Sequence, residues 1–345
     1  MSTIKDIARL ANVSVSTVSK ALNARADVSE RTRKKIIQIA QELNYDVSRL
    51  RREAPLVQSQ NINVIFCREE KPLSLNPFYS RVLEGIEAEL ALNHFNLVLS
   101  LLPNRKDVPL PAPLASGEVD GAILVGVFNQ DFIDRIKRIK QPVVLIDPKI
   151  IVEEFTQVLI DNEHGCYMAT QYLIEKGHRR IGFISGPLER QSFFQRYLGY
   201  KKALQFNDIP IEKELVQTGG LEEGYENTMR LLRLPNRPTA IVSANDINAI
   251  YGIRAIQEMG LKVPDDVSII GFDDIELAKM SSPQLTTIRV YKEEMGSIAV
   301  RLLLQHLRCE INKPVTSIVP TRLVERSSVK QIKDTSNKSM ETFTN

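Results

Sequence analysis

Hydrophobic spacing divides the chain into two regimes. Over residues 1–45 apolar positions recur at intervals of three and four, the helical period, in three short runs. Ile4, Ile7, Ala8 and Ala11 share one face, with Thr3 and Asp6 forming a capping-box pattern ahead of them. Asn12-Val13 predicts a short turn, and Ser14 N-caps a second helix running to about Leu22. Ser29 with Glu30 opens a third helix, whose buried stripe is Ile36, Ile39, Ala40 and Leu43. From Ile62 onward, short apolar runs alternate with amphipathic ones. The predicted strands fall in two series: 62–66, 95–102, 121–126 and 142–147, then 180–186, 239–245 and 267–273. Helices are predicted at 78–93, 132–139, 162–175, 194–206 and 246–259. Strand-helix-strand repetition implies parallel sheets covered on both faces, and two series imply two doubly wound lobes.

The breaks in the pattern are informative too. Residues 46–60, DVSRLRREAPLVQSQ, carry no clear period and read as a linker. Four prolines between Pro103 and Glu118 cannot sustain a helix interior, so a loop is expected there. Residues 331–345 are polar and unpatterned, which predicts a disordered tail. That tail lacks the leucine heptads of a tetramerising coiled coil, so a homodimer is the expected assembly.

Charge sharpens the first regime. Residues 1–60 hold 11 Lys and Arg against 6 Asp and Glu, a net of +5, whereas the whole chain is +3 and the remainder therefore −2. Positive charge concentrated on a small helical head is the electrostatic footprint of a phosphate-binding module. The exposed face of the second helix, Val15, Ser16, Ser19 and Lys20, is short, polar and partly apolar, as entry into a major groove requires. No signal peptide precedes the helices and no apolar run approaches a membrane span, which predicts a soluble cytoplasmic protein with no membrane partner. Cys67, Cys166 and Cys309 are odd in number, lack metal-ligand spacing and read as reduced, buried thiols. Trp is absent, so aromatic contact to a ligand falls to Phe or Tyr.

Strand ends suggest a second site, because ligands of open α/β sheets bind beyond the carboxyl ends of strands. Asp147, Asn245 with Asp246, and Asp273 with Asp274 fall there. Carboxylates and amides so placed match the vicinal hydroxyls of a sugar. Arg196 adds a planar fork of donors, and Phe78 and Tyr79 an apolar wall. Bland readings stand beside these: Asp246 and Asp274 as helix N-caps, Asp147 as a turn residue before Pro148, Phe78 and Tyr79 as ordinary core, and His178 as a structural residue in the turn after a helix. Enzymatic chemistry is disfavoured. Asp273 and Asp274 point apart on an extended chain, His94, His164, His178 and His306 have no metal spacing or neighbouring nucleophile, and GxxxxGK[ST] is absent. No cofactor is implied.

The run TIKDIARLANVSVSTVSKALN, followed by VSERTRKKIIQIAQELNY, strongly resembles the DNA-binding domain of the LacI/GalR family of bacterial repressors. The resemblance continues to about Ser328 through NPFY, VDGAILVG, PVVLID, DNEHG, KGHRRIGFISGP, RYLGY, PTAIVSAND, GLKVPDDVSIIGFDD and SPQLTTI. It implies an all-α helix-turn-helix head at 1–45, a hinge at 46–60 and an α/β periplasmic-binding-protein-like core at 61–330. Crossings near Asp161, Val290 and Val319 would give one lobe 61–160 plus 291–318 and the other 161–289 plus 319–330.

Function follows as an expectation: a regulator, acting as a repressor of carbohydrate-utilisation genes, that binds near-palindromic double-stranded operator DNA under control of a sugar or sugar-phosphate effector. Base edges would be read mainly by Val15, Ser16 and Lys20, with Ser14, Thr17 and Ser19 on the same surface, while Asn23, Ser29 and Thr32 position phosphates. Effector contacts implied by position are Asp147, Arg196, Asn245 and Asp273, with Leu221 where an aromatic often sits and Val290 where a polar residue can sit. The hinge departs from the family. Val47-Ser48 replace the usual Pro-Asn pair, and the wedge-leucine position falls on Ala54 before Pro55. Leu50 or Leu56 would then act as the minor-groove wedge, with Arg49, Arg51 and Arg52 on phosphates. Control by a partner protein, or sugar binding with no regulatory role, are the alternatives.

Overall fold

The structure, a computed structural model, describes residues 4–22, 28–43, 59–68, 76–103, 105, 107–220 and 222–332. The head consists of α1 (Ile4–Ala11), α2 (Val15–Leu22) and α3 (Glu30–Glu42). Ile7, Ala8, Ala11, Val18, Ala21, Val28, Ile36 and Ala40 form its core, with Ile39 and Leu43 partly buried against it. Asn12 ends α1 in the left-handed conformation (φ 57°), and the Val13 amide donates back to the Ala8 carbonyl at 3.0 Å. This closes the turn into α2. Lys35 Nζ donates to the Ala11 carbonyl at 3.2 Å, so a cation of α3 sits on the negative end of α1.

The core holds two six-stranded sheets. In the first, β1 (Asn61–Arg68), β2 (Asn96–Pro103), β3 (Gly121–Val125), β4 (Val143–Ile146), β5 (Thr156–Ile160) and β11 (Thr316–Val319) run in the order β11-β5-β4-β3-β1-β2, all parallel. The second uses β6 (Ile181–Ser185), β7 (Val216–Thr218), β8 (Ala240–Ser243), β9 (Ser268–Asp273), β10 (Thr286–Val290) and β12 (Thr321–Val324). Its order is β12-β10-β9-β8-β6-β7, parallel except at the β10–β12 edge. Both sheets reverse strand order beside their first strand, the doubly wound arrangement whose switch point opens a ligand crevice. The chain passes between sheets at residue 161, leaving β5, at 291, leaving β10, and at 320, between β11 and β12.

Covering helices are α4 (Tyr79–Leu92), α5 (Ala112–Ala115), α6 (Gln130–Ile136), α7 (Asn162–Glu175), α8 (Gln191–Phe206), α9 (Gly224–Leu232), α10 (Asp246–Glu258), α11 (Glu276–Met280) and α12 (Lys292–Leu307). None of the described helices is long and apolar enough to cross a membrane. The proline-rich stretch is not wholly loop. One turn of helix, α5, starts after Pro111 and carries Pro113 at its second position, where no amide donor is needed. Cys166 is buried, but Cys67 and Cys309 are only half-buried. Of the tail, Gln331 and Ile332 are described, and the Ile332 amide donates to the Lys176 carbonyl at 2.8 Å. Residues 333–345, where disorder is expected, lie outside the described residues.

Candidate functional site

The head presents two matching helix starts. Ser14 Oγ accepts the Thr17 amide at 3.0 Å and lies 2.8 Å from the Thr17 hydroxyl, capping α2. Ser29 Oγ repeats the device on α3, accepting the Thr32 amide at 3.3 Å with the Thr32 hydroxyl at 2.8 Å. All four hydroxyls are thus fixed by capping while Ser14 and Ser29 stay exposed. Val15, the first residue of α2, leaves 40% of its surface open. The side chains of Ser16, Ser19 and Lys20 lie outside the described residues, as do Asn23 and the hinge candidates Arg49, Leu50, Arg51, Arg52 and Leu56.

In the core, the strand-end residues converge from both lobes. Asn76 Oδ1 accepts the amides of Phe78 and Tyr79 at 3.1 and 3.0 Å, which starts α4 and fixes the two rings edge to face at 5.3 Å. The Tyr79 hydroxyl donates to Asp147 Oδ2 at 3.0 Å. Asp147 follows β4 in the left-handed region (φ 48°). Burial raises its carboxyl to about 6, opposed by Arg196, the Tyr79 bond and Arg190, and reinforced by Asp273. The charges that act on this first-lobe carboxylate therefore belong to the second lobe. One direct tie joins the rims as well: the Gln191 amide at the start of α8 donates to the Lys149 carbonyl at 2.9 Å.

Arg196 is 4% exposed, with each guanidinium nitrogen near a polar partner. Nε donates to Asn162 Oδ1 at 2.8 Å, Nη1 to the Ala244 carbonyl at 2.5 Å, and Nη2 lies 3.2 Å from Asp273 Oδ1. Its guanidinium stacks 3.8 Å above the Phe272 ring, with Phe193 on a further side at 5.9 Å. The pairing with Asp273 is close but poorly aligned, leaving Asp273 Oδ1 without a hydrogen-bond donor. Burial pushes the Asp273 carboxyl up, against the pull of Arg196 and Lys292. A buried acceptor lacking a donor is costly.

Other strand-end residues have different roles from those read locally. Asn245 is itself the N-cap of α10, its Oδ1 accepting the Asn248 amide at 2.7 Å. Asp246 is not a cap: wholly buried, it accepts from the Thr287 hydroxyl at 2.5 Å and the Ile275 amide at 2.9 Å. Burial, reinforced by Asp273, raises its carboxyl well above the ordinary range. Asp274 is not a cap either. It accepts from Arg289 Nε at 2.7 Å and Arg326 Nη2 at 2.5 Å. Burial acts upward on its carboxyl, yet these two cations hold it below the usual range. Val290 is 2% exposed and packs in the main core. His178 is buried, with Nδ1 2.9 Å from the Thr239 hydroxyl and Nε2 3.2 Å from the Lys330 carbonyl, a structural arrangement. Leu221 lies outside the described residues. Sequence reasoning missed Asn162, Phe272, Phe193, Arg190 and Lys292. Asn162 and Phe272 lie inside quoted motifs, but their role depends on Arg196, remote along the chain. Among the described residues no group of three or more His, Cys, Asp or Glu is placed to hold a metal ion.

Comparison with known proteins gives one answer. Residues 3–48 match the family of bacterial regulatory proteins, lacI family, and residues 170–329 match the periplasmic binding protein-like domain. The repressor PurR of Photorhabdus laumondii is 35% identical over 336 residues, covering 95% of this chain and 97% of its own. PurR of Proteus mirabilis is 35% identical over 339 residues with the same coverage. Among solved structures, a complex of the transcriptional regulator CelR with cellobiose aligns with a TM-score of 0.73 at 29% identity, covering 95% of this chain and 100% of the other. The lac repressor dimer bound to operator and the anti-inducer ONPF gives 0.69 at 28%, with 95% and 99% covered. A regulator from Enterococcus faecium with bound ribose gives 0.69 at 28%, with 79% and 100% covered. These relatives are regulators and not enzymes. Head, two-lobed core and relatives together establish that this chain belongs to the lacI family of bacterial regulatory proteins, as a DNA-binding transcriptional repressor of the PurR type.

Proposed function

We propose that this repressor is governed by a small polyhydroxylated effector, a sugar or sugar phosphate, held between its lobes. The observation that carries the reading is the convergence of Asp147 from one lobe with Arg196 and Asp273 from the other, with Asp273 Oδ1 left without a hydrogen-bond donor. Two carboxylates and a guanidinium, with Tyr79 bonded to one carboxylate and Phe78 edge to face beside it, suit vicinal hydroxyls against an apolar ring face. Cellobiose and ribose in the CelR and Enterococcus faecium complexes support the same ligand class.

In this reading the chain divides into a reading head at 1–45, a hinge at 46–60, lobes built from 61–160 with 291–318 and from 161–289 with 319–330, and a tail at 331–345. It acts as a cytoplasmic homodimer, two heads docking in successive major grooves of a near-palindromic operator of carbohydrate-utilisation genes. Effector binding closes the cleft, rotates the first lobes against each other and moves the hinges, so that operator and effector affinities change by the same coupling free energy. The test is a thermal-shift screen of full-length protein against mono- and disaccharides, their phosphates and purine bases, repeated with Asp273→Ala. A sugar that stabilises the parent and not the variant is the expected result. Stabilisation by a purine alone, or by nothing, overturns the effector class.

A further inference from the structure

Lys292 begins α12 immediately after the second crossing, and the helix it starts packs on β3, β4, β5 and α4 of the first lobe. Its side chain does not follow the helix. Only 5% exposed, it turns back into the second lobe, and Nζ donates to the carbonyls of Asp273 (2.5 Å), Asp274 (3.2 Å) and Val290 (3.3 Å). Three ammonium protons meet three acceptors, so the donor capacity is used completely.

The carbonyls it gathers belong to an unusual turn. Asp273 and Asp274 lie at φ 114° and 53°, two successive non-glycine residues on the left-handed side. Such residues persist only where surroundings over-determine them. The carboxylates are held from within the second lobe, Asp273 by Arg196 and Asp274 by Arg289 and Arg326. The backbone carbonyls are held by Lys292, the one cation of the group that starts a first-lobe helix. Burial lowers the Lys292 ammonium below the usual lysine range, opposed by Asp273, Asp246, Glu293 and Asp274.

We propose that Lys292 is the positioning residue of the cleft, tying the Asp273–Asp274 turn of one lobe to helix α12 of the other and so fixing both the aim of Asp273 and the angle between lobes. A ligand that shifts Asp273 pulls, through this tie, on the first turn of α12. The consequence for ligand binding rests on the effector reading above, whereas the tie itself needs no ligand.

The test is therefore made on full-length protein without effector. Spin labels at Lys140→Cys and Lys213→Cys, exposed positions of the first and second lobe, report the interlobe distance in a Cys67→Ser, Cys309→Ser background diluted with unlabelled chain. Lys292→Met, which keeps the stem and removes the donors, is expected at least to double the width of the distance distribution while melting stays cooperative. Lys292→Leu carries the same expectation should the methionine variant not fold. Asp273→Asn keeps both carbonyls and is expected to leave the width at the parent value, although it abolishes any sugar response. Parent width in the folded Lys292 variant overturns the proposal, and so does equal broadening in Asp273→Asn, which would assign the tie to the carboxylate. A thermal-shift screen empty of sugars would end the effector reading and leave this result standing.

Discussion

The Tyr79 hydroxyl donates to Asp147 Oδ2 across 3.0 Å, joining the first residue of α4 to the residue just past β4. The bond holds a carboxyl whose burial has raised it to about 6. Folded protein therefore binds this proton more tightly than the unfolded chain does. The stabilisation is complete below the ordinary carboxyl range near pH 4, declines as pH rises, and is gone above pH 6. A shift of this size corresponds to about 3 kcal/mol. Asp147→Asn keeps an acceptor for Tyr79 and cannot ionise. It is expected to match the parent near pH 4.5 and to exceed it by roughly 2 kcal/mol at pH 7.5 in urea melts. Equal stability at pH 7.5 would mean that the parent carboxyl ionises at no cost.

Gly126, just past β3, has φ 87°, and a Cβ there would meet the Tyr79 ring at 3.1 Å. Gly126→Ala combines backbone strain with pressure on the residue that orients Asp147. A loss of about 1–3 kcal/mol is expected. The pH dependence just described should steepen as well, because the Tyr79 bond that opposes the rise of the Asp147 carboxyl is lost. The same urea melts, run at both pH values, separate the two effects.

Arg196 is the buried charge on which the second-lobe side of the cleft depends. Removing it in Arg196→Met leaves Asp273 buried without its partner cation and the Ala244 carbonyl without its donor. A destabilisation of about 3–5 kcal/mol follows from breaking a buried pair. The double variant Arg196→Met, Asp273→Asn is expected to recover part of that loss. Absence of recovery would show that Arg196 acts through Phe272 and Asn162 rather than through Asp273.

How far the sequence carried the structure depends on where each residue's partners lie. GAILV is apolar throughout, and SIIGFD is apolar between its two end residues, because both faces are buried, and such runs stand out. TTIRV at β10 does not. Thr286 and Thr287 are nonetheless wholly buried, since Thr286 Oγ1 accepts the Arg326 amide and the Thr287 hydroxyl donates to Asp246, partners about forty residues away. For the same reason Asp246 and Asp274 resemble local caps until their distant partners are seen, and Lys292 reads as one more surface charge in KEEMG. The strand-end rule marked Asp147, Asp246, Asp273 and Asp274 alike because it depends on topology, which periodicity reveals. It could not tell which of these carboxylates are committed to the fold, as Asp246 and Asp274 are.

Ser14 allows the head's two roles to be tested apart. Its hydroxyl caps α2 by accepting the Thr17 amide at 3.0 Å, and it is exposed beside Val15 at the helix start. Ser14→Ala removes the cap, and a loss of about 0.5–2 kcal/mol in head stability is expected, with operator binding weakened alongside. Ser14→Asp keeps a capping oxygen and adds a negative charge that the helix N-terminus favours, so head stability should hold or rise. If this end of α2 approaches DNA, the same charge opposes the phosphates and affinity falls at least about tenfold, most strongly at low salt. Binding to duplexes selected from a random library, followed by fluorescence anisotropy across a salt series, measures the effect. Undiminished affinity in Ser14→Asp would move the DNA-facing surface away from the start of α2.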